Sequence, residues 1–129
     1  MVVDGLSFER VDVGNPHAVT FVDDLAEIDV AAIGSRVEND AVFPHRTNVE
    51  FVQPGARHSI AMRVWERGVG ETLASGTGST AAAYAAMVTE RADSPVDVRL
   101  PGGVLTIEMV GEEAWMIGPG TEVYAGTIG

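Results

Sequence analysis

Apolar and polar residues alternate along residues 8–13 (FERVDV), and a period of two predicts a β-strand. The same period recurs at 18–22 (AVTFV), 48–52 (NVEFV) and 60–66 (IAMRVWE). Four shorter strands are predicted at 96–100, 104–110, 114–117 and 122–125, split by Pro-Gly-Gly, Gly-Glu-Glu and Gly-Pro-Gly turns. Asp23 and Asp24 are placed to cap a short helical stretch. Asp29 caps another at 30–33, which Gly34 is expected to end. Residues 38–46 read as irregular. One segment breaks the strand pattern. Residues 79–91 (STAAAYAAMVTER) are rich in alanine, lack Gly and Pro, and are apolar on nearly every face. That predicts a helix buried on all sides, with Ser79 or Thr80 as N-cap and a stop at Glu90-Arg91 and Asp93-Ser94-Pro95.

Strands, one strong helix, then more strands do not make a βαβ alternation. The expected architecture is α+β: a strongly curved, barrel-like mixed sheet wrapped around the central apolar helix. Residues 1–129 read as a single domain. A Gly-rich turn feeds the helix N-terminus, where free backbone N–H groups and the helix dipole favour a carboxylate or phosphate.

Charge narrows the function. The formal net charge is -11, and all eight basic residues are Arg. A chain this acidic is not expected to bind nucleic acid through a basic face. Zero cysteines exclude disulfides and thiolate metal sites. No apolar run approaches the roughly 20 residues of a membrane span, so a soluble, cytoplasmic protein is expected.

Gly76-Thr77-Gly78-Ser79-Thr80-Ala81 formally fits a dinucleotide fingerprint, with Asp97 about 20 residues on, but the required βα context is missing. A P-loop fails for want of Lys. A nucleophile elbow would need Gly where Leu73 stands. The three histidines lack metal-ligand spacing. His45 and His58 read as surface or turn residues. His17 sits in a Gly-Asn-Pro-His turn, where loop residues often carry function. Glu66 and Arg67 lie just upstream of the anion-binding turn. Turn chemistry accounts for Asn15 but not for Asn48.

Taken together, Gly14-Asn15-Pro16-His17, Phe43-Pro44 with Thr47-Asn48-Val49-Glu50-Phe51-Val52, the run from Arg63 through Glu66-Arg67-Gly68-Val69-Gly70-Glu71-Thr72, then Ala74-Ser75-Gly76-Thr77-Gly78 and Gly118-Pro119 resemble, in order, the motifs of diaminopimelate epimerases. The match runs through nearly the whole chain and looks like the C-terminal half of that two-domain family. The resemblance implies cofactor-free and metal-free inversion of LL- to meso-diaminopimelate, in the lysine and peptidoglycan route. Two cysteines, one from each half, then face each other across the α-carbon.

Carried over by position, the acid/base falls at 75, where this chain has Ser. The resemblance further implies that Gly76 and Thr77 bind the reacting carboxylate and that Glu66 tunes position 75. His17 would partner the acid/base of the other half. Asn15, Asn48, Glu66 and Arg67 would hold polar groups of an amino-acid substrate. An alkanol is a far weaker acid than a thiol, which titrates near 8.5, so the isolated chain is expected to be inactive or weak. Two rivals stay open: a one-base isomerase or dehydratase of the same superfamily, and a non-catalytic amino-acid-binding or assembly module. An exposed apolar face is expected to pair with an N-terminal half or with a second copy.

Overall fold

The computed structural model describes residues 1–118 and 121–128, with 121–127 described by their backbone. Among the described residues, ten strands and two α-helices follow one another. The strands are β1 (Val2–Val3), β2 (Leu6–Asp12), β3 (Pro16–Phe21), β4 (Asn48–Pro54), β5 (Ser59–Glu66) and β6 (Gly70–Thr72). After the long helix come β7 (Val96–Leu100), β8 (Gly103–Val110), β9 (Glu113–Gly118) and β10 (Thr121–Thr127). Helix α1 spans Val30–Glu38 and helix α2 spans Gly76–Val88. A single 3-10 turn covers Leu25–Glu27.

The strands form one mixed sheet in the order β1-β2-β3-β4-β5-β7-β8-β9-β10, with β6 pairing β5 off the path. Two neighbours are parallel, β3 with β4 and β5 with β7, and the rest are antiparallel. The long crossovers through α1 and α2 supply those parallel pairings, which no hairpin can make. Among the described residues no pairing joins β1 to β10, so the sheet is open. The α+β class agrees with expectation; closure of a barrel is not part of what is seen.

Each helix covers a face of the central strands. On one side, Ala18, Val49, Phe51 and Trp65 pack with Val30 and Val37 of α1. On the other, Val19, Val52, Met62 and Val64 pack with Ala81, Ala82, Ala83, Ala85 and Ala86 of α2. Helix α2 touches β2, β3, β4, β5, β7, β8, β9 and β10. Its alanines leave room for strands to close in on every side, which is why the run carries no polar stripe.

Three local expectations need correction. Helix α2 begins at Gly76, with Ser75 rather than Ser79 or Thr80 as N-cap. The Ser75 Oγ accepts from the Gly78 N–H at 3.0 Å. Ser79 and Thr80 instead lie inside the helix, each donating its hydroxyl to the carbonyl four residues back. Helix α1 does not stop at Gly34 but runs on to Glu38. Gly34 is there because Trp65 presses on it: a Cβ would lie 2.6 Å from Trp65 Cγ. The alternating stretch 48–52 is a strand as expected, and all of Asn48, Val49, Glu50, Phe51 and Val52 are buried. Both faces are covered, as for strands flanked by helices. Finally, His17 is not in a turn; it lies in β3 and is 1% exposed. The expected Gly-Pro-Gly turn and the Pro119 motif position fall on Pro119 and Gly120, outside the described residues.

Candidate active site at the N-terminus of helix α2

Strand register decides which side chains meet. His17 stands opposite Asn48, Val19 opposite Glu50, and Glu50 opposite Val64. Side chains two apart share a face, so His17, Asn48, Glu50, Val64 and Glu66 all belong to the α2 side. Near the α2 N-terminus this face changes from aliphatic to polar.

The central contact joins two buried ionisable groups. His17 Nδ1 lies 2.9 Å from Glu50 Oε2, and both side chains are fully buried. His17 Nε2 lies 3.1 Å from Asn15 Oδ1. Burial pushes the Glu50 carboxyl above its ordinary value. The charge and hydrogen bond of His17 pull it back down, and the nearby Glu66 pushes it up again. Glu50 Oε1 has no hydrogen-bond partner among the described residues.

This pair abuts the helix tip. A Cβ on Gly78 would stand 2.7 Å from Ser75 Oγ and 3.1 Å from Glu50 Oε2. Only glycine leaves both oxygens in place. Beyond Ser75, the backbone N–H groups of Gly76 and Thr77 have no acceptor among the described residues. Gly76 is half-buried and Thr77 exposed, so both amides open outward. They carry the partial positive charge of a thirteen-residue helix.

Glu66 reaches the same place through Thr72. The Thr72 hydroxyl donates to Glu66 Oε1 at 2.5 Å and lies 3.4 Å from the Ala74 carbonyl, one residue before Ser75. Asn48 ties two neighbouring segments together: its Nδ2 donates to the Pro16 carbonyl and its Oδ1 accepts from the Arg67 N–H. The Arg67 guanidinium is exposed and donates to the His45 carbonyl at 3.3 Å.

The Glu66-to-Thr72 turn is braced from behind. Gly68 takes a φ of 75°, a left-handed conformation that glycine reaches without strain. Its N–H donates to Glu38 Oε2, while Glu38 Oε1 accepts from Trp65 Nε1. Arg63 clamps Glu71 with two hydrogen bonds, at 2.8 and 3.0 Å.

The structure thus gathers His17, Asn15, Asn48, Glu66, Ser75, Gly76 and Thr77 around one helix end, with Arg67 at the rim. His58 lies apart, its Nδ1 on the Asp93 and Pro95 carbonyls. Among the described residues no group of three or more His, Asp or Glu side chains is placed to hold a metal ion. Among the described residues no helix is long and apolar enough to cross a membrane. Sequence reasoning missed Glu50. The available signal was a carboxylate two residues beyond Asn48, hence on the same strand face.

The model of the diaminopimelate epimerase family matches residues 10–125. The chain belongs to the diaminopimelate epimerase family. It is 47% identical over 120 residues to the diaminopimelate epimerase of Trichodesmium erythraeum, covering 92% of this chain and 43% of the relative. To that of Agathobacter rectalis it is 48% identical over 120 residues, covering 92% and 42%. The chain therefore spans less than half the length of these epimerases. Among solved structures, a phenazine biosynthesis protein of the PhzF family from Enterococcus faecalis superposes with a TM-score of 0.65 at 17% identity. That match covers 86% of this chain and 43% of the other. A predicted epimerase from Pseudomonas aeruginosa gives 0.59 at 17% identity, covering 84% and 41%. At these identities the likeness shows a shared fold.

Proposed function

We propose that this chain is one half of a cofactor-independent amino-acid epimerase, taking a diaminopimelate-like substrate in the cytoplasm. One observation carries the reading. Two N–H groups that have no acceptor among the described residues, those of Gly76 and Thr77, lie at the tip of a buried helix beside a half-buried hydroxyl at the family's acid/base position. Removing the α-proton of an amino acid pushes negative charge onto its carboxylate. Fixed N–H donors aimed at that charge stabilise the transition state without metal or cofactor.

The remaining roles come from the family resemblance, and the contacts described above support them. Glu66, linked through Thr72 to the residue before Ser75, tunes the group at 75. His17 serves the acid/base that the other half supplies. Asn15 and Arg67 offer polar contacts to the substrate, and Asn48 holds both the Pro16 and Arg67 segments where those contacts are made. We take residues 1–129 as one domain whose sheet curves strongly around α2, a reading supported by the contacts of α2 with strands from β2 through β10.

Ser75 limits the chemistry. As N-cap its oxygen already accepts from Gly78, and an alkanol gives up its proton far less readily than a thiol. The chain as it stands should bind the carboxylate and exchange the α-proton slowly or not at all. Ser75→Cys, paired with a cysteine-bearing N-terminal half, should introduce α-proton exchange in deuterated water, followed by NMR, and inversion, followed by chiral chromatography. Robust inversion by the unaltered chain alone would overturn the reading. Calorimetric binding with no exchange in any combination would favour a binding module. Conversion of a β-hydroxy or unsaturated substrate without inversion would favour a one-base enzyme.

A further inference from the structure

Glu50 is built into the core against the usual rules for stability. It sits at the centre of a strand stretch buried on both faces, where an aliphatic residue would pack without loss. One of its oxygens, Oε1, has no hydrogen-bond partner among the described residues. The first turn of α2 carries glycine at 78, a poor helix former, where a Cβ would crowd Glu50 Oε2 and Ser75 Oγ. Three unfavourable choices therefore converge on one carboxyl group. What that carboxyl gains among the described residues is one hydrogen bond, to His17 Nδ1. Natural chains keep such destabilising groups where activity requires them.

We propose that Glu50 is a positioning residue for His17. From the buried side of β4 it holds the imidazole by Nδ1 and keeps a proton in that contact. Only Nε2, the nitrogen beside Asn15, is then left to act toward the cleft. The conclusion does not depend on which partner formally owns the proton. An ionised Glu50 accepts it from Nδ1–H, and a protonated Glu50 donates it to bare Nδ1; in both cases Nδ1 is occupied. Orientation of one imidazole nitrogen through a bond to the other is a common way to assign a histidine its role. The charge felt by the pair from a neighbouring element is that of Glu66 on β5, with the N-terminal end of α2 beside Glu50; Arg10 and Asp12 of β2 stand opposite Ala18 and Pro16 and so project from the other face of the sheet. What the oriented Nε2 does in catalysis rests on the epimerase reading; the ring contact itself does not.

The test reads the ring in this chain, with no turnover required. In ¹⁵N-labelled protein, the His17 Nδ1 contact should show a proton that exchanges slowly with water. Glu50→Gln is isosteric and removes the carboxylate. Its amide still reaches Nδ1 as donor or acceptor, so the His17 ring ¹⁵N resonances should shift while a slowly exchanging proton stays in the contact. Glu50→Met removes the contact: exchange of that proton should speed at least tenfold, and the thermal midpoint should fall because the buried Nδ1 is left without its partner. Unshifted His17 ring resonances in Glu50→Gln, or a slowly exchanging Nδ1 proton retained in Glu50→Met, would overturn the proposal. If the ring responds as expected but Ser75→Cys never exchanges an α-proton, the epimerase reading fails and the positioning role stands.

Discussion

At the scale of single residues, the site depends on small groups in confined places. Ser75 caps α2 with its hydroxyl oxygen, and under the proposed function the same residue stands at the acid/base position. Glu50 makes stability sensitive to pH in a direction unusual for a carboxylate. Its folded value lies above the ordinary 4.5, because burial outweighs the pull of His17. Above about pH 4.5 the unfolded chain has released this proton while the folded chain still holds it. Stability from this group is complete below that pH and is lost as pH rises through the folded value. Glu50→Gln, which never ionises, should therefore gain on the natural chain as pH rises from 4.5. Urea midpoints of the two proteins across that range measure the difference; a gap that stays constant with pH would contradict this account.

At the scale of elements, close approach decides the composition. Helix α1 crosses the face of β5 at Gly34, with no space between its backbone and the Trp65 ring. Trp65 cannot swing away easily, since its Nε1 donates to Glu38 at the end of the same helix. Gly34→Ala gains helix propensity, roughly 1 kcal/mol in an open helix, but it forces a Cβ to 2.6 Å from Trp65 Cγ. Overpacking of this kind costs about 1–3 kcal/mol. A net loss of stability in urea unfolding is expected, together with a changed Trp fluorescence; a more stable Ala variant would mean that α1 can lift off the sheet freely. The same reasoning explains α2. Five buried alanines let β-strands approach on all sides, where leucines would hold them off.

At the scale of the whole molecule, the chain spans 43% of the Trichodesmium erythraeum epimerase, and the tip of α2 lies at the surface, with Gly76 half-buried and Thr77 exposed. Close in sequence to that tip are Val69 and Leu73, 74% and 67% exposed, and Val104 at 47% borders the groove formed with Ala74, Leu100 and Gly102. Leu73 is anchored through its backbone, whose carbonyl accepts from Gly102, so its exposed side chain is presented by a fixed segment. We expect this face to pair with the complementary half of the enzyme or, in its absence, with a second copy. Leu73→Asp should weaken that association roughly tenfold or more, read by sedimentation of the chain alone and mixed with the other half. Monomers in both samples before mutation would remove the basis for the pairing.

Much of this was legible along the chain. Period-two stretches became β2, β3, β4 and β5 within two residues of their expected limits, and the alanine run became α2. The motif residues were sufficient to suggest the family and the polar groups around Ser75. These features are local: a strand's alternation, a helix former's propensity and a motif's spacing need no knowledge of distant residues. Contacts across the fold were not legible. Whether Ser75 or Ser79 caps α2 depends on how β6 delivers the chain to the helix. Whether Gly34 ends α1 depends on Trp65, which lies 31 positions away in a strand. Whether Glu50 faces water depends on a helix packed over it, and its partner His17 is 33 residues earlier. Local patterning along the chain set the elements and the chemical groups available. Which of those groups share one dry point was settled by the packing of separate segments, because burial and pairing arise only when those segments meet.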